Sequence, residues 1–191
     1  MKVALVHWRL YNVGGLETRL RNYIDYFHSR GDEITLFCYK QASNFHVPEG
    51  VNVVRINLGA MPKPYRLWYF HNKLQRLFNA RDFDFSLSLQ RTGQQDACLA
   101  PGDHIGFLKA LGRIVRKPKD IVQINLDKIS FANSKVIFPC SELVRNNLKE
   151  YYGVSDAKMV TLLPPLNTEK FNSNLKLEKL ALREKFGMDP N

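Results

Sequence analysis

The chain has 191 residues, enough for one ordinary domain whose core needs neither disulfides nor metal ions for stability. It carries 28 Lys and Arg against 18 Asp and Glu, and this formal net charge of +10 favours an anionic partner: nucleic acid, a phospholipid surface or a phosphorylated substrate. Without a signal-peptide layout or an apolar run long enough to span a bilayer, we expect a cytoplasmic protein, peripheral to a membrane at most.

The first half of the chain alternates apolar strands with amphipathic helices. A strand is predicted over Lys2 to His7, and apolar residues then recur at helical spacing from Leu16 to Phe27, before Gly31 ends the helix. Two strands, a helix and another strand are predicted next, over Glu33 to Tyr39, Val51 to Asn57, Tyr65 to Asn79 and Phe85 to Leu89.

The second half continues the alternation. Further strands are predicted over Ala97 to Ala100, Lys135 to Pro139 and residues 159–165. Helices are predicted over residues 106–115 and 121–134, and from the N-cap Ser141 to Tyr152. Because strands separated by helices of this length need crossover connections, the pattern predicts an α/β fold with a doubly wound parallel sheet.

Ligands of such sheets bind beyond the carboxyl ends of the strands. The sequence therefore predicts a site bounded by four loops: Trp8 to Gly15, Gln90 to Gln94, Gly102 to Gly106 and Pro164 to Asn167.

A glycine pair, Gly14 and Gly15, stands between the first strand and the first helix. Backbone N–H groups at the positive end of a helix dipole bind phosphate, and glycine lets the backbone come close to it. The pattern lacks the third glycine of a dinucleotide fingerprint and the Lys-Ser/Thr of a P-loop, so an ordinary strand-to-helix turn remains the alternative.

Two segments resemble, in the correct order, the acceptor-side domain of GT-B glycosyltransferases. They are NVGGLETRLRNYIDYFHSRGDEITLFCY and SKVIFPCSELVRNNLKEYYGVSDAKMVTLLPPLNTEKF. The LLPP segment and the chain from GGL onward look most like the lipopolysaccharide core glucosyltransferases of retaining glycosyltransferase family four. The resemblance implies a Rossmann-like N-terminal half of a GT-B enzyme over residues 1–170, with residues 171–191 beginning the connection to a donor-binding domain that the chain lacks.

The resemblance also implies the chemistry. We expect retaining transfer of a sugar from a nucleotide-sugar, a UDP-sugar in particular, to a lipopolysaccharide or other glycan or glycolipid acceptor, without metal or cofactor. Because the second domain of such enzymes carries most donor contacts, this half alone is expected to be inactive. The place of the reaction would be the cytoplasm or the inner face of the cytoplasmic membrane.

Seven residues are the candidate site. Gly14 and Gly15 would hold the donor diphosphate. In PGDHIGF, the resemblance implies that Asp103 orients the acceptor hydroxyl and that His104 contacts the transferred sugar; the alternative for Asp103 is a helix N-cap.

The remaining three candidates, Arg91, Thr92 and Gln94, follow the fourth strand and are predicted to bind acceptor phosphate or hydroxyls. The alternative for this group is a solvated polar loop. His7, at the end of the first strand, is interpreted as a structural histidine beside the site.

A basic segment, residues 107–119, has the composition of a helix at an anionic membrane surface. Its apolar residues are Phe107, Leu108, Leu111, Ile114 and Val115, and its cations are Lys109, Arg113, Arg116, Lys117 and Lys119. A core-packing face with a charged rim is the alternative.

Two other functions are open on the residues alone. A dinucleotide-dependent Rossmann enzyme would have an acidic residue at the end of the second strand, where this chain has Tyr39 and Lys40. A nucleic-acid-binding module is suggested by charge only, with no groove-reading motif, and we expect no nucleic-acid partner. Three cysteines in apolar stretches are predicted to be buried thiols, with no disulfide and no zinc site: Cys38, Cys98 and Cys140.

Overall fold

A six-stranded, wholly parallel sheet forms the centre of the computed structural model, which describes residues 1–166, 168, 176 and 178–189. In chain order its strands are β1 (Lys2–Val6), β3 (Glu33–Cys38), β5 (Asn52–Arg55), β6 (Phe85–Ser88), β7 (Ala97–Ala100) and β8 (Val136–Pro139). The spatial order is β5-β3-β1-β6-β7-β8, so the chain starts in the middle of the sheet and fills one side before the other. The predicted doubly wound α/β fold is confirmed.

Two short strands, β2 (Arg9–Leu10) and β4 (Lys40–Gln41), pair in parallel just beyond β1 and β3. The α-helices of the described residues are α1 (Gly15–Ser29), α2 (Arg66–Leu77), α3 (His104–Ala110), α4 (Pro118–Asn133), α5 (Glu142–Tyr152) and α6 (Lys179–Lys185). None of them is both long and apolar enough to cross a bilayer.

Helices pack on both faces of the sheet because successive strand residues point to opposite sides. Leu5 of β1 packs in one fully buried cluster with Leu20 of α1. The next residue, Val6, faces the other way and packs with Leu74 of α2. Burying each such side chain contributes about 1.5–3 kcal/mol, which fixes both helices against the central strand.

The predicted helix over residues 106–115 is wrong in extent. It starts earlier, at His104, and ends at Ala110, because Gly112 follows with a positive φ of 60° that stops the helical path. The next helix begins at Pro118, three residues before its predicted start, since proline suits the first turn of a helix.

The predicted strand over residues 159–165 is also corrected. Met159 forms an isolated parallel bridge to Ile137, and the N–H of Leu162 donates to the Pro139 carbonyl at 2.8 Å. The segment therefore runs extended beside β8 without forming a regular strand. Asn167, in the fourth predicted site loop, and the predicted boundary at residue 170 lie outside the described residues.

The cysteines agree with the predicted burial in two cases of three. Cys38 and Cys98 are buried, whereas Cys140 is half-buried. Burial raises the pKa of the Cys38 thiol to about 11, so this side chain is an unreactive neutral thiol at physiological pH.

Candidate functional site

The candidate site lies at the carboxyl ends of β1, β6 and β7, and the strand order of the sheet reverses direction between β1 and β6. In open α/β sheets this is where ligands bind. Arg91, just after β6, lines three cavities there, with volumes of about 60, 420 and 410 Å³. We call the third of these, which also contains Asp103 and His104, the acceptor cavity.

Gly14 is the residue of the glycine pair whose conformation requires glycine. It caps α1 with φ 120° and ψ 148°, a region that L side chains rarely adopt, and a Cβ there would collide with the Glu17 carboxylate. A Cβ at Gly15 would meet nothing within 4 Å. Both glycines are exposed at the N-terminus of α1, with the Glu17 carboxylate on the Gly14 side.

A buried histidine lies close to this loop. His7 is 3% exposed, and neither ring nitrogen has a hydrogen-bond partner among the described residues. Its Nε2 lies 3.6 Å from Glu17 Oε1, and burial lowers the pKa of His7. These contacts agree with the interpretation of His7 as a structural histidine, with a neutral imidazole buried next to the glycine loop.

The Arg91 side chain is fixed by a carboxylate on α4. Its Nε donates to Asp127 Oδ1 at 2.6 Å, and Asp127 Oδ2 accepts from the backbone N–H of His104 at 2.8 Å and from the Tyr152 hydroxyl at 3.1 Å. Burial raises the pKa of Asp127, and the attraction of Arg91 works against that rise. One carboxylate thus holds the loop after β6 against the start of α3.

Asp103 is an N-cap, which is the alternative left open by the sequence. It is 3% exposed, and its Oδ1 accepts from the Gly106 N–H at 2.5 Å while its Oδ2 accepts from Asn147 Nδ2 at 2.9 Å. Both carboxylate oxygens are engaged inside the protein, so the side chain fixes the wall of the acceptor cavity.

His104 is 5% exposed and belongs to a second buried pair. Its Nε2 lies 3.0 Å from Asp120 Oδ1, and its ring stacks on Phe107 with the ring centroids 5.7 Å apart. The hydrogen bond with His104 lowers the pKa of Asp120. For the other ring nitrogen, Nδ1, the described residues provide no hydrogen-bond partner, and the residue lines the acceptor cavity.

Thr92 and Gln94 are placed differently from Arg91. Thr92 is fully buried, and its hydroxyl is bonded to Ser88 Oγ and to Gln95 Oε1, both at 2.8 Å. These contacts order the loop and leave the hydroxyl without access to an acceptor. Gln94 is half-buried beside Gly93. The structure therefore brings Arg91, Asp103 and His104 to one cavity, and places Thr92 behind it.

Sequence reasoning missed two charged residues that organise the site. Asp127 interrupts the apolar pattern of a helix, which was a signal for a buried polar contact. Arg19 is 4% exposed on α1, and its guanidinium donates to the Leu162 carbonyl at 2.9 Å and to Cys140 Sγ at 3.1 Å. Its Nε also donates to the Tyr23 hydroxyl at 2.9 Å, but Cys140 and Leu162 are more than 120 residues away, so nothing local predicted those contacts.

The basic segment, residues 107–119, is mostly exposed. Phe107, Leu111, Ile114 and Val115 are each about half exposed or more, between 47% and 65%, and Leu108 alone packs inward. All five cations of the segment are exposed as well. The core-packing alternative is therefore wrong for every apolar residue of the segment except Leu108.

No group of three or more His, Cys, Asp or Glu side chains is arranged to hold a metal ion within the part of the chain that the structure describes.

Comparison with known proteins gives consistent results. Residues 13–170 match Glycosyltransferase Family 4. Over 161 residues the chain is 30% identical to a probable transglycosylase of Burkholderia thailandensis, covering 83% of this chain and 43% of that protein.

The fold is similar to solved structures. One is WaaG, a glycosyltransferase involved in lipopolysaccharide biosynthesis, with a TM-score of 0.78, 12% identity, and coverage of 98% of this chain and 52% of the other. Another is sucrose-phosphate synthase from Thermosynechococcus elongatus, with a TM-score of 0.60, 14% identity, and coverage of 98% and 53%. The chain spans about half of the length of these relatives.

Proposed function

Because the chain belongs to glycosyltransferase family 4, we propose that it is the acceptor-side half of a GT-B enzyme that transfers a sugar from a nucleotide-sugar to a glycan or glycolipid. The observation that carries this proposal is the exposed glycine pair at the N-terminus of α1, located where the strand order of the sheet reverses. We further propose that a donor-binding half follows, and we call the two halves together the complete enzyme.

The glycine loop would act on the leaving group. Backbone N–H groups at the start of α1 point out at the positive end of the helix dipole, where the diphosphate of a donor gains negative charge as the sugar leaves. Gly15 gives the diphosphate room, since nothing lies within 4 Å of the place a Cβ would take. The nearby Glu17 carboxylate sits in the first turn, so the donor must approach from the Gly15 side.

The acceptor cavity would bind the other substrate. Arg91 offers a cation at its entrance, and His104, held by Asp120 through Nε2, keeps Nδ1 for contact with the transferred sugar or the acceptor hydroxyl. Asp103 would be a positioning residue, because it caps the first turn of α3, the turn that contains His104. Gln94 would add an amide at the edge of the same loop.

Finer features of the reaction are part of the proposal. We propose a retaining, metal-independent transfer with a UDP-sugar as donor and a lipopolysaccharide or related phosphorylated glycolipid as acceptor. The similarity to WaaG supports the acceptor class. Neither a dinucleotide cofactor nor a nucleic acid is favoured as ligand, since the family match and the glycosyltransferase folds agree.

We also propose that the protein works at the inner face of the cytoplasmic membrane. The support is the basic segment, in which exposed apolar side chains such as Ile114 alternate with exposed cations such as Arg113 and Arg116. Apolar groups entering the headgroup region and cations near anionic lipids both favour surface binding.

The test is the release of nucleoside diphosphate from a panel of nucleotide-sugars by the complete enzyme, with and without lipopolysaccharide. We expect acceptor-dependent release from one or more UDP-sugars. Equal release with and without acceptor would contradict transfer, and no release from any donor would overturn the proposal.

A further inference from the structure

A second cavity at the same edge of the sheet was not foreseen from the sequence. It has a volume of about 420 Å³, within the range of small-ligand pockets, and lies between the loop after β1, the start of α2 and the loop after β6. We call it the basic pocket. Four cations line it, from three segments of the chain: Arg9, then Lys63 and Arg66, and Arg91.

Hydrogen bonds fix two cations of the basic pocket, Arg66 and Arg91. Arg66 Nε donates to the Met61 carbonyl at 2.8 Å, which leaves the terminal nitrogens of the guanidinium without a partner among the described residues. Lys63 stands between Pro62 and Pro64, whose rings fix the local backbone. No carboxylate lines this pocket, and Arg91 meets its partner Asp127 outside the lining.

An aromatic side chain completes the wall. Trp8 is half-buried, and its ring is held at 4.9 Å from the Tyr39 ring and at 5.3 Å from the Phe70 ring, between centroids. A rigid indole face offers a flat apolar surface to the C–H groups of a sugar ring. The amide of Gln90, also in the lining, can bond to a sugar hydroxyl.

We propose that the basic pocket binds a phosphorylated sugar, with the phosphomonoester among the four cations and the sugar ring against Trp8. A phosphate dianion accepts several charge-assisted hydrogen bonds at once, and arginine forks match its geometry. The assignment of this sugar to the acceptor rests on the proposed function. The binding of a phosphorylated sugar rests only on the residues of the pocket. Gly14 and Gly15 are absent from the lining, so the site is separate from the donor diphosphate site.

The experiment uses the chain itself with Trp68→Phe, so that Trp8 is the one remaining tryptophan and its fluorescence reports on the pocket. The probe is glucose 6-phosphate, with glucose, inorganic phosphate and UDP as comparators. In that background, Arg9→Gln with Lys63→Gln removes two exposed cations of the pocket. The matched control is Arg76→Gln, an exposed cation about 15 Å further along α2 from Arg66.

We expect glucose 6-phosphate to bind more tightly than either glucose or phosphate, and the double variant to weaken it at least about tenfold while the control leaves it unchanged. Equal binding of phosphate and glucose 6-phosphate would overturn the sugar contact, and an unaffected double variant would overturn the site. Displacement of the probe by equimolar UDP would show that the phosphate comes from the nucleotide and would overturn the acceptor assignment. If the basic pocket binds glucose 6-phosphate but the complete enzyme transfers no sugar, the proposed function is contradicted and the proposed binding site is not.

Discussion

Arg91, in the loop after β6, is bonded to Asp127 of α4. The Nε of the arginine donates to Oδ1 of the aspartate at 2.6 Å, and the two residues are 36 positions apart in the chain. Asp127 is almost fully buried, whereas Arg91 reaches the surface and lines three cavities. A buried carboxylate thereby fixes a cation at the place where both the acceptor cavity and the basic pocket open.

Replacing Asp127 should cost much of the stability of the domain. In Asp127→Ala, Arg91, the His104 N–H and the Tyr152 hydroxyl lose their common acceptor, and breaking such a buried contact costs about 3–5 kcal/mol. Urea unfolding measures this loss. Asp25→Ala, an exposed aspartate of α1, is the control and should change stability by less than about 0.5 kcal/mol. Equal midpoints for the two variants would contradict the role of Asp127.

The two glycines of the loop should respond differently to substitution. Gly14→Ala forces a side chain into a backbone region nearly exclusive to glycine and against the Glu17 carboxylate, so we expect a loss of about 1–3 kcal/mol in thermal or urea unfolding. Gly15→Val has open space and should leave the unfolding midpoint nearly unchanged.

Gly15, whose substitution should leave the stability nearly unchanged, is expected to matter for turnover. In the complete enzyme, Gly15→Val places two methyl groups where the donor diphosphate would approach, and turnover should fall by tenfold or more with the fold intact. Steady-state kinetics with the nucleotide-sugar measures it. Unchanged kinetics would contradict a role in donor binding and would favour the alternative, in which the glycine pair is an ordinary strand-to-helix turn.

The His104–Asp120 pair predicts a pH effect on stability. The hydrogen bond with His104 lowers the pKa of Asp120 below its usual 3.8, so the stabilisation is present above pH 3.8 and is lost as the pH falls through the lowered value. His104→Phe removes the bond, and its stability should therefore fall less steeply below pH 3.8 than that of the unchanged protein. Urea midpoints measured in steps of acid pH give the two slopes, and parallel slopes would speak against the coupling.

The basic segment predicts binding to anionic vesicles. Each cation near the surface contributes about 1 kcal/mol, so reversing Arg113, Arg116 and Lys117 to Glu should weaken binding by tens of fold or more, as should high salt. The matched control reverses three exposed arginines elsewhere, Arg55, Arg76 and Arg81.

Sedimentation with phosphatidylglycerol vesicles separates the two triple variants, which have the same net charge. Equal loss in both would attribute binding to charge alone, and no loss in the first would refute the membrane contact. Leu111→Asp should stay folded, because Leu111 is 48% exposed.

The sequence predicted the sheet and most helices because their apolar patterns are clear: β1 is a continuous apolar run after Lys2, and the apolar residues of α1 recur at helical spacing. It failed after Ala110, where the apolar pattern continued but Gly112 turned the backbone. A one-dimensional pattern records which residues are apolar, and it does not record that Ile114 and Val115 have no core to face.

The site was predicted only as far as its loops. The loops around Gly14, Arg91 and Asp103 were placed correctly at one edge of the sheet, because the loops that follow parallel strands all lie beyond the carboxyl ends of those strands. The sequence left the role of Asp103 open between an acceptor contact and the observed N-cap, and it did not predict the contacts of Thr92, since a polar side chain after a strand can either face a ligand or bond within its own loop. The basic pocket was missed because Arg9 and Lys63 come together only in the fold.

Residues 1–191 alone are expected to release no nucleoside diphosphate from any nucleotide-sugar, because the glycine loop can contact only one side of a donor. The same assay with the complete enzyme is the positive control. Robust turnover by residues 1–191 would show that this half contains a whole active site.

The most direct test of the central claim is the mass of a defined lipopolysaccharide core acceptor after incubation with the complete enzyme and UDP-sugars. The account predicts a gain of one sugar residue, which is lost when Gly15→Val blocks the approach of the diphosphate. An acceptor whose mass stays unchanged with every nucleotide-sugar, or a gain that is equal in Gly15→Val, would contradict it.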